Sequence, residues 1–280
     1  MTQALQSEMG SLSAGSMSGI LVLTSSESKR LIAKAVTALP EVKAALKRGR
    51  VVIANGSTTA FVVEEILSVK LDKAMYCSGL IFDGAMGVIQ SEHRSNPYVL
   101  VDGKTVPITY GEALKDFEAG DVFIKGANAV DPKGHVGILL GSNVSGTIGA
   151  AIGPIVARGA HLIVPVGLEK LVPDVIEASR KCGLRKLKYP IQGTAGYFPV
   201  VTATVVTELQ ALKTLTGVTA THVASGGIGG SEGSVILVVE GTEEQVNQAY
   251  QIINSIKGEP PIPGPGEKGI VYGPERASGA

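Results

Sequence analysis

The sequence predicts an α/β fold, a mostly parallel sheet with helices on both faces, followed by a small C-terminal α+β domain. Three observations carry this. Apolar residues make up 44% of the chain and aromatics only 4%, with no tryptophan. The interior must then be built from Val, Ile, Leu and Ala, the palette of buried parallel strands under helices. Short β-branched runs alternate with glycine turns and helical periodicity across residues 20–188, the rhythm of strands joined by crossover helices. Beyond residue 197 the order becomes strand, helix, strand, strand, helix, a split βαβ unit, so a ferredoxin-like domain is expected over 197–258.

In chain order, 1–19 is rich in Ser and Gly, lacks a basic stretch followed by a long apolar run, and reads as a flexible tail rather than a signal peptide. Ile20 to Leu23 is a short strand. Thr24 and Glu27 are spaced as a capping box for a helix that places Leu31, Ile32, Ala35 and Val36 on one face. Pro40 starts a second helix, which Gly49 stops. Arg50 to Ala54 is a strand, and the turn after it opens a helix carrying Phe61, Val62, Ile66 and Leu67. Further strands are predicted over 79–82, 98–101, 122–125 and 161–166, and further helices over 148–157 and 171–181. Pro190, Gly193 and Gly196 mark a linker. The second domain opens with a strand over 198–203 and a helix over 206–215. Strands over 218–225 and 234–240 follow, then a helix over 243–256 capped by Thr242 and Gln245. The Pro- and Gly-rich 259–280 is read as an extended tail.

Twenty-five basic and 25 acidic side chains give no net charge, which argues against a nucleic-acid partner. The nearest basic cluster, Arg180, Lys181, Arg185, Lys186 and Lys188, reads as a solvated helix end. Cys77 and Cys182 match no metal or redox spacing, and no bound metal or cofactor is expected. No apolar run approaches the ~20 residues of a spanning helix, so the expectation is a cytoplasmic protein with no membrane partner.

Two stretches carry the candidate chemistry. In VVIANGSTTAFVVEEIL, a strand delivers Asn55, Gly56, Ser57, Thr58 and Thr59 to a helix N-terminus, where free amides and hydroxyls suit a phosphate or carboxylate. A helix cap made by the Ser/Thr cluster is the alternative reading. In GDVFIKGANAVDPKGHVGILLGSNVSGTIGAA, glycine turns at predicted strand ends present Gly126, Asn128, Gly141, Ser142, Ser145, Gly146 and Thr147.

Together these stretches resemble the superfamily of ribose-phosphate isomerases, glucosamine-phosphate deaminases and acyl-CoA transferases, as a divergent member over roughly 20–185. Gly56, Ser57 and Thr58 match the turn where the isomerases seat a sugar phosphate, and KGANAVDP (Lys125 to Pro132) looks like a variant of their DGADEVDP run. Lys125 and Asn128 replace two of its aspartates, leaving Asp131. Leu140 stands where the isomerases carry a lysine, and 147–152 reads TIGAAI where they carry a basic Glu. The resemblance implies a phosphorylated sugar as ligand, with Asp131, Lys125 or His135 as acid–base groups for isomerase or lyase chemistry. Acyl transfer would instead need a nucleophilic carboxylate, for which Glu169 at a strand end is the candidate. A non-catalytic sensor or assembly protein on the same fold is the third reading.

Elsewhere, Glu92, His93 and Arg94 read as a solvated turn or a lid. The loop SGGIGGSEG (225–233) lets backbone approach a ligand or another subunit closely, and the domain carrying it is the candidate contact for a homo-oligomer.

Overall fold

A computed structural model describes residues 16–188, 194–265 and 270–272. Strand β1 (Ser16–Leu23) is followed by helices α1 (Ser25–Ala38) and α2 (Pro40–Lys47), then β2 (Arg50–Ile53) and α3 (Ser57–Leu67). A hairpin of β3 (Gly79–Phe82) and β4 (Ala85–Ile89) leads to β5 (Tyr98–Val101), β6 (Lys104–Thr105) and α4 (Tyr110–Lys115). Next come β7 (Val122–Ile124), β8 (Ala129–Val130), β9 (Val136–Leu140), α5 (Gly146–Arg158) and β10 (His161–Pro165). A 3₁₀ turn (Leu168–Lys170) and α6 (Val175–Lys181) follow. The rest is β11 (Gly196–Val200), β12 (Thr204–Val206), α7 (Glu208–Thr216), β13 (Thr219–Ser225), β14 (Val235–Thr242), α8 (Glu243–Ile256) and β15 (Ile270–Tyr272).

The main sheet has six strands in the order β12-β10-β7-β2-β5-β6. Its first four strands run parallel, and β5 and β6 add antiparallel at one edge. Val51, Val52 and Ile53 pair with Val122, Phe123 and Ile124. All six are fully buried, so both faces of the sheet are covered at its centre. The capping box at the start of α1 is present: the Thr24 hydroxyl accepts from the Glu27 amide, and Glu27 accepts from the Thr24 amide at 2.9 Å.

The C-terminal segment departs from the expected ferredoxin-like unit. Its β13 and β14 form a three-stranded antiparallel sheet with β1 from the other end of the chain, ordered β1-β14-β13. Leu21 and Leu23 of β1 are buried with Val235, Leu237 and Val239 of β14, and burying these alternating residues selects the partner. Ser16 to Gly19 therefore belong to a strand rather than to the flexible tail, whose first 15 residues lie outside the described residues.

The strand expected first in that unit, β11, instead pairs with β9. There the Tyr197 ring lies against Gly137 so closely that it leaves no room for a Cβ at that position. Pro199 lacks the amide an interior strand needs, and β11 is an edge of its sheet. Within the C-terminal tail, β15 pairs with β4. Helix 171–181 shortens to α6, because Pro173 and the Asp174 cap, which accepts from the Glu177 amide at 2.8 Å, set a later start. Residues 189–193 of the expected linker lie outside the described residues.

Candidate functional site

The carboxyl ends of three adjacent parallel strands, β10, β7 and β2, open into one cavity of about 610 Å³. β2 delivers Asn55 to Thr58, β7 delivers Lys125 to Asn128, and the 3₁₀ turn after β10 delivers Lys170. The β9–α5 loop adds Gly141, Ser142, Ser145, Gly146 and Thr147, and the β3–β4 hairpin closes another wall. Strand ends are where an open α/β sheet leaves a crevice.

The turn after β2 is braced from outside the cavity. The Gly56 amide donates to the Tyr76 carbonyl at 3.0 Å, and the buried Tyr76 hydroxyl donates to the Ile53 carbonyl at 2.6 Å. Asn55 Nδ2 donates to the Ser95 carbonyl at 2.8 Å. Gly56 is the N-cap of α3, and no side chain caps that helix. The Ser/Thr cluster is thus not a cap, and Gly56 has an extended φ of 161°, so no left-handed geometry explains the glycine. Thr59 belongs to the brace: it is fully buried and donates to Ala54 O at 2.7 Å. Helix α5 also starts without a side-chain cap, from Ser145 with φ 61° and Gly146 with φ 52°. Two uncapped helix N-termini therefore belong to the same cavity wall, each with unpaired amides and the positive end of a helix dipole.

Two lysines line the same cavity. Lys170 Nζ donates to Ala127 O at 2.9 Å, and Lys125 Nζ has one long contact, 3.3 Å, with Gly126 O. Both are half-buried, open to the cavity on one side and packed in protein on the others. Burial pushes each down to about 8, helped at Lys125 by the charge of Lys170 and at Lys170 by that of Lys29. Neither has a carboxylate in ion-pair contact among the described residues. Glu169 is engaged elsewhere, 2.7 Å from Lys29 Nζ. Burial would raise its carboxyl, but the charges of Lys29 and Lys170 hold it below its ordinary range. Glu208, buried under the 3₁₀ turn, accepts from the Leu168 amide at 2.9 Å and is pushed up by burial. Positive charge is thus in excess around the cavity floor.

Of the expected ligand-binding residues, only Thr59 stays off the cavity wall. Of the expected catalytic residues, Lys125 alone lines it. Asp131 is a backbone brace whose carboxylate accepts from the amides of Lys133 (2.9 Å), His135 (3.0 Å) and Val175 (3.0 Å). Burial would raise it, but those amide bonds hold it low. His135 Nδ1 lies 3.2 Å from Asp131 Oδ2, away from the cavity wall. Glu169 is off the wall as well. Lys170, Arg94 and Glu92 are lining residues that the sequence did not single out as binding groups. For Lys170 the signal was present, since it adjoins Glu169 after the same buried strand.

The glycine loop 225–233 approaches the protein's own body. A Cβ at Gly233 would sit 2.7 Å from Glu169 Oε2 and 3.3 Å from Ser25 Cβ. Both cysteines are free, and no group of His, Cys, Asp and Glu that could hold a metal occurs among the described residues. No helix among them is long and apolar enough to cross a membrane. Comparison with protein-family models, with curated proteins and with solved structures found no match.

Proposed function

We propose that the cavity binds a small anionic metabolite, a phosphorylated sugar being the class that fits best, with isomerase or lyase chemistry. The observation that carries this reading is the pairing of two lysines lacking carboxylate partners with two uncapped helix N-termini around one cavity. An anion of one or two charges would relieve both the unpaired amides and the surplus of positive charge. The volume, about 610 Å³, suits a small metabolite. Lys125 is the expected catalytic residue that this reading keeps, because Asp131 and His135 lie off the wall. Acyl transfer through Glu169 has less support, since its carboxylate is held by Lys29.

Calorimetric titration of the full chain with ribose phosphate, glucosamine phosphate and inorganic phosphate tests the reading. Binding is expected, weakened about tenfold or more in Lys170→Met, the worth of one charged hydrogen bond. Absence of binding to all three would overturn it. Self-association is part of the same proposal. Ile20 and Val22 of β1 are 61% and 47% exposed on the outer face of the β1-β14-β13 sheet, and sedimentation velocity tests for the oligomer.

A further inference from the structure

We propose that Lys125 forms an imine with an anionic aldehyde or ketone held in this cavity, with Lys170 beside it as the proton donor. This deepens the anion-binding reading and rests on it.

The placement of Lys125 is fixed on both sides. It directly follows β7, the strand between β10 and β2; its own amide donates to Ile163 O at 3.0 Å, and the Ala54 amide donates to Ile124 O at 2.9 Å. Its side chain therefore starts from the centre of the sheet, beside the turn that opens α3. The two lysines differ in surroundings. Lys170 is held at 2.9 Å by Ala127 O; Glu169 and Glu208 favour its ammonium, but burial and the charge of Lys29 outweigh them and lower it to about 8, as at Lys125. Lys125 has only the 3.3 Å contact to the next residue's carbonyl and no comparable carboxylate, and the charge of Lys170 disfavours its own. A partly desolvated lysine next to a second cation is the arrangement that frees an amine lone pair near neutral pH. Both lysines are lowered to about 8, so the firmer hold of the Ala127 carbonyl on Lys170 and the loose contact at Lys125 are what set the two apart.

The neutral Lys125 Nζ attacks the carbonyl carbon, forming a C–N bond while the carbonyl π pair moves to oxygen. Oxygen takes a proton from the Lys170 ammonium, and nitrogen loses one to solvent. Solvent restores the Lys170 ammonium, and its second proton lets the oxygen leave as water while the nitrogen lone pair forms C=N, leaving a protonated imine. The balance is one carbonyl, one amine and one proton giving one protonated imine and one water, with no change of oxidation state. The protonated imine then withdraws electrons from the adjacent carbon, the requirement shared by isomerases and lyases acting beside a carbonyl.

The test uses the full chain with dihydroxyacetone phosphate and with glyceraldehyde phosphate, each followed by borohydride reduction and peptide mass mapping. The expected result is one adduct per chain on the peptide carrying Lys125, suppressed by inorganic phosphate. Lys125→Arg should lose the adduct. Phosphate binding with no adduct, with an adduct on Lys170, or with labelling spread over exposed lysines would overturn the imine and leave the binding site standing. No phosphate binding by the wild-type chain would overturn both. Mapping on the wild-type chain does not depend on any variant folding.

Discussion

Lys29 Nζ and Glu169 Oε1 lie 2.7 Å apart and join helix α1 to the 3₁₀ turn that ends in Lys170. Both side chains are largely buried, at 8% and 16% exposure, so the pair loses little to solvent screening. Glu169→Gln leaves Lys29 without its counter-charge and should cost about 3 kcal/mol of stability, the scale of a buried pair broken on one side. Sulfate affinity should hold or rise, because the cavity floor becomes more positive. Denaturant unfolding with and without sulfate measures both. A variant that keeps its stability but no longer binds sulfate would show that Glu169 serves the ligand rather than the turn.

At the opposite wall, Ser57 is the first residue of α3 and caps nothing. Ser57→Ala should weaken phosphate binding about tenfold, through one lost hydrogen bond to a charged group, with the melting temperature unchanged. Gly56→Val should lower both. Its Cβ would stand 3.0 Å from Thr59 Oγ1, disturbing the bond from Thr59 to Ala54 O, and overpacking of this kind costs about 1–3 kcal/mol. Affinity and melting temperature measured on both variants separate the two roles.

Tyr76 braces the same turn from behind. Its hydroxyl donates to Ile53 O and accepts from the Tyr98 amide at 3.3 Å, and burial pushes its ionisation well up. Tyr76→Phe leaves the Ile53 carbonyl buried and short of a donor, a loss of about 1–3 kcal/mol. Phosphate affinity in the folded variant should change much less than in Ser57→Ala. Urea unfolding and calorimetry on one preparation check the contrast.

Anion binding should also report on the two lysines through pH. Each ionises near 8 in the free protein, and a bound anion favours the charged form, so binding takes up protons above that pH. Cys77, pushed up to about 11 by burial, stays a thiol, and Glu169, held low, stays ionised. Sulfate does not titrate in this range. Its affinity should be level below pH 7 and fall above pH 8, approaching about tenfold per unit for each proton taken up. Without ligand the sign reverses. Lysine values lowered by folding mean that the unfolded chain binds more protons above pH 8, so stability should rise with pH there. Above 9 the raised thiol of Cys77 offsets part of that gain, which slows and ends near 10, where the unfolded lysines also lose their protons and the raised Tyr76 hydroxyl adds its own cost. A flat sulfate profile from pH 6 to 9 would remove the lysines from the site.

Much of the cavity was legible because it follows a local rule. A β-branched run ending in Asn-Gly-Ser-Thr has to stop being a strand and start a helix, so the position of Asn55 to Thr58 needs no tertiary information. The roles of Asp131 and Glu169 depend on partners far along the chain. Val175 supplies one amide to Asp131, and Lys29 neutralises Glu169. A carboxylate at a strand end looks the same in sequence whether it meets substrate or a backbone amide. Helix α4 was legible and missed: Thr109 and Glu112 form a capping box, with the Glu112 amide donating to Thr109 Oγ1 at 3.2 Å. Pro199 likewise carried a signal, since a proline in a strand already argues for an edge. The pairing of β1 with β14 had no local signal, because both alternate apolar residues in a way that fits several partners.

That pairing bears on how the protein is made. Ser16 opposes Thr242 and Leu23 opposes Val235, so β1 leaves the ribosome long before the strand that shelters Leu21 and Leu23 exists. At about 5–20 residues per second, the wait is roughly 10–40 s. During it, the main sheet can assemble from β2, β7 and β10, whose pairings close over shorter stretches of chain. An apolar strand left idle for that long is a natural client for a chaperone. The last long helix, α8, can settle only once β14 has zipped against the first strand described.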